Sequence, residues 1–294
     1  MHLSENEILR RVRRVEIKTR GLSDEIFAGK YHTAFRGRGM SFSEVREYRV
    51  GDDVRDIDWN VTARSERTHV KVYEEERELT MMLIVDVSPS RMFGSTELTK
   101  KNVITEIAAT LAFSASKNND KVGCILFSDR VEKFIPPKKG RSHILTIIRE
   151  LVGFEPSGKS TNISEALRYL VGVNKKRTTS FLLSDFINSS TDKPKLEDAL
   201  KIASSKHDIM AIEVYDKCDR ELPNVGIIEV CDAETGEREW IDTSSRRVRE
   251  YWAKSYNERS AEMQELLRHN RIDYASVATD GDYVAELIKM FKQR

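Results

Sequence analysis

From residue 79 onward, apolar runs short enough for strands alternate with stretches whose apolar residues recur every three or four positions. This alternation constrains the fold more than any other feature of the chain. "LTMMLIVDVS" (79–88) reads as a fully buried strand. Residues 99–117 follow, with Val103, Ile104, Ile107, Ala108, Leu111 and Ala112 at helical spacing. "KVGCILFSD" (121–129) is the next strand, and "RVEKFIPP" pairs with it through a tight turn. Helical patterns then cover 141–152 and 162–173, followed by strand 179–186, helix 195–206 and strand 208–216. Residues 225–242 read as a hairpin turning near Gly236, and 245–269 as a long helix. "IDYASVAT" is a last strand before a closing helix. Apolar strands alternating with helices build a mainly parallel sheet covered by helices on both faces, so the expected fold class is α/β. Ligands of such sheets sit at the carboxyl ends of the strands.

Residues 1–78 have a different texture. A helix over 4–20 is followed by Gly29, Gly37 and Gly39 and then by shorter extended pieces. The expected division is a small, partly β subdomain over 1–78 and an α/β domain over 79–294. Hydrophobic residues at 39% and charged residues at 33% fit a soluble globular chain. The 49 basic residues balance 48 acidic ones, which offers no global field to nucleic acid or to an anionic membrane. The stretch "LRRVRRVEIKTR" (9–20) is locally basic and reads as a solvated helix face, or else as a dock for an acidic partner. The longest apolar run, "MMLIV", is strand-sized, so no membrane insertion is expected. The start of the chain lacks the apolar core of a signal peptide. Cys124, Cys218 and Cys231 have no metal-ligand spacing, and Cys124 falls in a buried run. Together these features point to a reducing, cytoplasmic setting.

Two stretches carry candidate chemistry. "GFEPSGKS" (153–160) fits the P-loop pattern, with Gly153, Gly158, Lys159 and Ser160 in place. A P-loop needs a buried strand before its first glycine. The residues before Gly153 instead have helical spacing, and Pro156 removes a backbone donor from the loop. Strand "SFLLSD", ending at Asp185, is the one feature that could pass for a Walker B strand. The second stretch is Asp86, Ser88 and Ser90, a D-x-S-x-S pattern directly after an apolar strand. Alternate residues of an extended segment point the same way, so one carboxylate and two hydroxyls converge. Thr161, in a loop entering a helix, adds a hydroxyl, and Asp185, ending another strand, adds a second carboxylate. Oxygen donors of this kind suit a hard cation, Mg²⁺ or Mn²⁺. Taken singly, each stretch also reads as an ordinary helix cap or loop opening.

This set of residues resembles the von Willebrand factor A domain with its metal-ion-dependent adhesion site, over residues 79 to 294. The resemblance implies that Ser88 and Ser90 bind the ion directly, and Thr161 directly or through water. Asp86 and Asp185 act mainly through water. It implies further that the ion keeps a position open for an acidic side chain of a partner. Pro89 and Arg91 stand where the family commonly has small residues, and Phe186 stands where glycine is frequent. The segment "GRGMSFSEVREYRVGDDVRDIDWNVTARS" (37–65) resembles the bacterial domain-of-unknown-function family fifty-eight, whose members place it before an A-type domain. Association with a MoxR-type AAA+ ATPase is implied by that resemblance.

Within 37–65, Asp52, Asp53, Asp56 and Asp58 lie near Arg46, Arg49, Arg55 and Arg64. They are expected to form a charge-paired network with Trp59 as its apolar anchor. The spacing does not match an EF-hand. Histidines are scattered, Ser88 lacks a nucleophile elbow, and nothing in the chain requires an enzyme. The expectation is a non-enzymatic, Mg²⁺-dependent interaction module. It would act as adaptor or co-chaperone to a MoxR-type ATPase, or to a client presenting a Glu or Asp. The alternatives are a P-loop NTP hydrolase using 153–160 and a metal-assisted phosphodiesterase using Asp86 and Asp185.

Overall fold

The alternating runs form one six-stranded sheet. The computed structural model describes residues 5–27, 41–65, 67–74, 79–95, 98–187, 193–232 and 236–294. In chain order the elements begin with α1 (Glu5–Phe27), β1 (Ser41–Glu47), α2 (Trp59–Thr62), β2 (His69–Glu74) and β3 (Thr80–Asp86). Then come α3 (Lys100–Lys117), β4 (Lys121–Phe127), β5 (Val131–Lys138), α4 (Arg141–Gly153), α5 (Ile163–Val173) and β6 (Thr179–Ser184). They are followed by α6 (Lys193–Lys206), β7 (Asp208–Tyr215), α7 (Lys217–Arg220), β8 (Ile227–Cys231) and β9 (Arg238–Asp242). The chain closes with α8 (Arg246–His269), β10 (Asp273–Ala278) and α9 (Tyr283–Lys292).

The sheet runs β10-β7-β6-β3-β4-β5. All neighbours are parallel except the β4–β5 pair at one edge, which is antiparallel. From Met81 to Asp86 every residue of β3 is buried, which is why the strand reads as an unbroken apolar run rather than an alternating one. On one face Met82, Ile84, Ile125 and Leu182 pack with Leu167 and Leu170 of α5 and Leu196 and Leu200 of α6. On the other, Phe181 meets Phe291 of α9 edge to face, with ring centroids 6.2 Å apart. The chain leaves β3 toward β4 on one side and later returns as β6 on the other. The carboxyl end of β3 is therefore the switch point of the sheet, where flanking loops part and leave a crevice.

The division of the chain differs from the sequence expectation of 1–78 and 79–294. Two compact units are present, Phe35–Leu79 and the remainder, Met1–Ala34 with Thr80–Arg294. Helix α1 thus belongs to the α/β unit. It runs against α3 and α4. Val12 and Thr19 are buried there. Ile8 sits where a Cβ on Gly153 would come within 3.0 Å of its side chain. Lys18 pairs with Glu106 at 2.6 Å, and Arg141 donates to Glu16 at 2.8 Å. The basic character of α1 hid this from the sequence, because its buried stripe is narrow.

In the smaller unit, β1 and β2 form an antiparallel pair with an irregularity between Phe42 and Glu44. Arg46 grips Asp52 with both terminal nitrogens, at 2.8 and 2.7 Å, and the Arg49 amide donates to Asp52 as well. These donors, Arg46 first, hold the Asp52 carboxyl down at about 2. Asp53 and Asp58 act differently from the expected network. Asp53 caps a 3-10 turn through the Arg55 amide, and Asp58 caps α2 through the amides of Asn60 and Val61. Trp59 is 66% exposed, so it is not the apolar anchor expected of it.

Candidate metal centre

Four of the five expected site residues lie in two short segments at the carboxyl ends of β3 and β6. Asp86 is the last residue of β3. Its Oδ1 accepts the Ser88 amide at 2.9 Å, which turns the chain sharply out of the sheet. Pro89 then starts a 3-10 turn, Pro89–Met92, that folds Ser90 back so that its Oγ lies 3.0 Å from Ser88 Oγ. Asp185 follows β6, and its Oδ1 accepts the Ile187 amide at 3.1 Å. Next to it Phe186 takes φ +53, the left-handed backbone that glycine adopts freely and a bulky residue does not. Asp86, Ser88, Ser90 and Asp185 are all buried.

The fifth residue, Thr161, arrives on the loop between α4 and α5, held at three places. The Asn162 amide donates to Ser128 O just past β4, at 2.8 Å. Arg91, itself buried, donates to Phe154 O at 2.8 Å. Glu132 accepts the amides of Ser157 and Gly158 at 3.0 and 2.7 Å, and the Ser157 hydroxyl at 2.7 Å. Because Asp86 pairs with Phe127 in register, the anchor at Ser128 places Thr161 on the same sheet edge, beside the end of β3. Its Oγ1 is buried and has no hydrogen-bond partner among the described residues. A buried hydroxyl left in that state costs about 1–3 kcal/mol, so its position has room for a further partner, an ordered water or an ion.

The same geometry disposes of the P-loop. Gly153 is the last residue of a helix, not the residue after a strand. The loop amides that would cradle a phosphate point at the Glu132 carboxylate instead. Gly158 is glycine for a local reason: a Cβ there would lie 2.2 Å from Asp129 Oδ1 and from Ser128 Oγ. Lys159 is exposed.

Electrostatics set the site apart from its neighbours. Burial, and next the charge of Asp185, push the Asp86 carboxyl up to about 6, against hydrogen bonds from Ser184 and Ser88. Burial brings the Arg91 guanidinium down to about 10, with the Asp86 charge acting the other way. Three further residues belong to the centre and went unnoticed in the sequence. Ser184 Oγ donates to Asp86 Oδ2 at 2.6 Å. Lys100, 1% exposed, donates to Asp185 at 2.8 Å and to Asp219 at 3.2 Å. Ser184 had a faint signal, adjacency to Asp185. Lys100 and Asp219 had none, since "TKK" and "KCDR" read as surface charge.

Three hydroxyls and two carboxylates make an oxygen-only donor set. Among the described residues no cluster of three or more His, Cys, Asp or Glu forms an alternative metal site. The uncommitted Thr161 hydroxyl and the facing Ser88 and Ser90 hydroxyls fit a hard divalent cation.

A family model described as "Protein of unknown function DUF58" matches residues 44–262. The chain belongs to the DUF58 family. An uncharacterized protein of Mycobacterium tuberculosis is 29% identical to this DUF58 chain over 288 residues, 96% of this chain and 88% of the relative. Among solved structures, an aerotolerance-related membrane protein from Bacteroides fragilis aligns with a TM-score of 0.51 at 17% identity. That alignment covers 73% of this chain and 97% of that one. A von Willebrand factor type A protein from Catenulispora acidiphila aligns at 0.35 and 14% identity, over 64% of this chain and 44% of that one. The DUF58 chain has the α/β architecture with a central, mostly parallel sheet that the von Willebrand factor A resemblance implied. No helix among its described residues is long and apolar enough to cross a membrane.

Proposed function

We propose that this DUF58 protein is a metal-dependent protein-interaction module. Ser88, Ser90 and Thr161 would hold Mg²⁺ or Mn²⁺, with Asp86 and Asp185 acting mainly through ordered water. The bound ion would supply an open coordination position for a Glu or Asp side chain of the partner. Neutral hydroxyl donors leave more of the ion's charge available to that carboxylate than acidic donors do. The partner class is a MoxR-type AAA+ ATPase or one of its clients, and the protein acts as adaptor or co-chaperone rather than as an enzyme.

The observation that carries the reading is the buried Thr161 hydroxyl without a partner, at the same sheet edge as Ser88 and Ser90. Calorimetric titration of the full chain with Mn²⁺ tests it. Binding at a single site, abolished by Asp86→Ala and weakened at least about tenfold by Thr161→Ala, is the expected result. Capture of the ATPase should then require the divalent ion and vanish with chelator. Binding that survives Asp86→Ala unchanged would sink the proposal, as would ATPase capture indifferent to chelator. Lys159→Ala serves as the control and should alter neither readout.

A further inference from the structure

Lys100 is hard to explain as a structural residue. It is the first residue of α3, where the helix dipole disfavours a cation, and its side chain is buried. A buried ammonium is costly unless paired. Here the partners are Asp185 Oδ2 at 2.8 Å and Asp219 Oδ2 at 3.2 Å, with the Phe93 ring 5.7 Å away. Asp185 is one of the two carboxylates that would serve the metal. Asp219 lies in α7, where its Oδ2 also accepts the Asp216 amide at 2.9 Å. The ammonium therefore sits between a carboxylate of the metal centre and one outside it.

We infer that Lys100 is a resident cation of this centre, holding Asp185 in position without an ion and lowering the site's affinity for one. The inference rests on the metal reading above. A single ammonium satisfies Asp185 but leaves the Thr161 hydroxyl without a partner among the described residues, and Ser88 and Ser90 bonded only within their own turn. A divalent ion there shares Asp185 with a like charge, and the repulsion weakens binding. The second acceptor, Asp219, moderates the effect, because it keeps part of the lysine's charge compensated on the far side. The arrangement gives a centre that keeps its shape when metal is scarce and loads only at higher divalent concentration.

Two charge-removing variants make opposite predictions that a purely structural role does not. Lys100→Gln, with the full chain titrated with Mn²⁺ at neutral pH, should bind about tenfold tighter or better than wild type. Asp219→Asn leaves the lysine uncompensated and should bind several-fold weaker. Chelator should lower the melting temperature of Lys100→Gln by several degrees more than that of wild type. Circular dichroism checks that each variant is folded. Wild-type binding with equal or weaker binding by folded Lys100→Gln would overturn the role of Lys100 and leave the metal reading standing. If Lys100→Gln does not fold, Asp219→Asn decides, and an unchanged affinity overturns the role. No Mn²⁺ binding by wild type or by either variant would remove both readings together.

Discussion

Asp86 shows how one residue trades stability for a site. In the folded protein burial and Asp185 raise its carboxyl from 3.8 to about 6. The metal-free fold therefore binds this proton more tightly than the unfolded chain does. The stabilisation is complete below about pH 4 and is lost as the pH rises through about 6, a change of roughly 2–3 kcal/mol. Urea unfolding of chelated protein at several pH values should show that loss. Asp86→Asn should flatten it, leaving the variant more stable than wild type at neutral pH while it binds no Mn²⁺. If the proposed ion binds, the sign should reverse for wild type, because metal binding favours the ionised form and releases the proton. Phe186 is a second residue of this kind, since a left-handed phenylalanine persists only where its surroundings fix it.

At the scale of elements, the loop between α4 and α5 does the positioning. Glu132, on the antiparallel edge strand β5, takes the donors of Ser157 and Gly158 together with the Ser128 hydroxyl at 2.7 Å. Burial acts to raise its carboxyl, yet these donors hold it below the ordinary glutamate range. Glu132→Ala strips the loop of its acceptor and should cost about 1–3 kcal/mol in urea unfolding. Because Thr161 rides on the same loop, the variant should also bind Mn²⁺ more weakly, which calorimetry reads directly. Glu132→Gln keeps an acceptor and should fall between the two. Sequence reading placed Gly153 after a helical stretch and Thr161 in a loop entering a helix, as the structure has them. It missed Glu132, because nothing local links residue 132 to residues 157 and 158. Only the β4–β5 hairpin brings them together.

For the whole molecule, the larger unit is discontinuous in sequence, with α1 (Glu5–Phe27) packed on α3 and α4, which begin only at Lys100 and Arg141. A fragment beginning at residue 79 follows the boundary the sequence suggested, but it uncovers the surface that Val12, Thr19 and Ile8 bury. It should melt several degrees below the full chain, and in the full chain Val12→Ala should cost about 1–2 kcal/mol. Equal melting temperatures for fragment and full chain would show that α1 contributes nothing to the unit. The sheet itself was readable along the chain. A parallel strand buried on both faces must be apolar at every position, and its helices must repeat at 3.6. The D-x-S-x-S donors do meet, but not through the alternation of an extended strand: the strand ends at Asp86, and the Asp86–Ser88 turn followed by the 3-10 turn Pro89–Met92 brings the two serine hydroxyls together. What the sequence by itself determined is therefore the α/β class, the order of strands and helices, and the oxygen donors Asp86, Ser88, Ser90, Thr161 and Asp185 as candidates. Tertiary structure alone decided that a buried lysine meets Asp185, that Glu132 holds the Thr161 loop, and that α1 joins the larger unit. Those facts are pairings between segments far apart in the chain, and charge in a sequence looks alike whether it ends in solvent or in a closed ion pair.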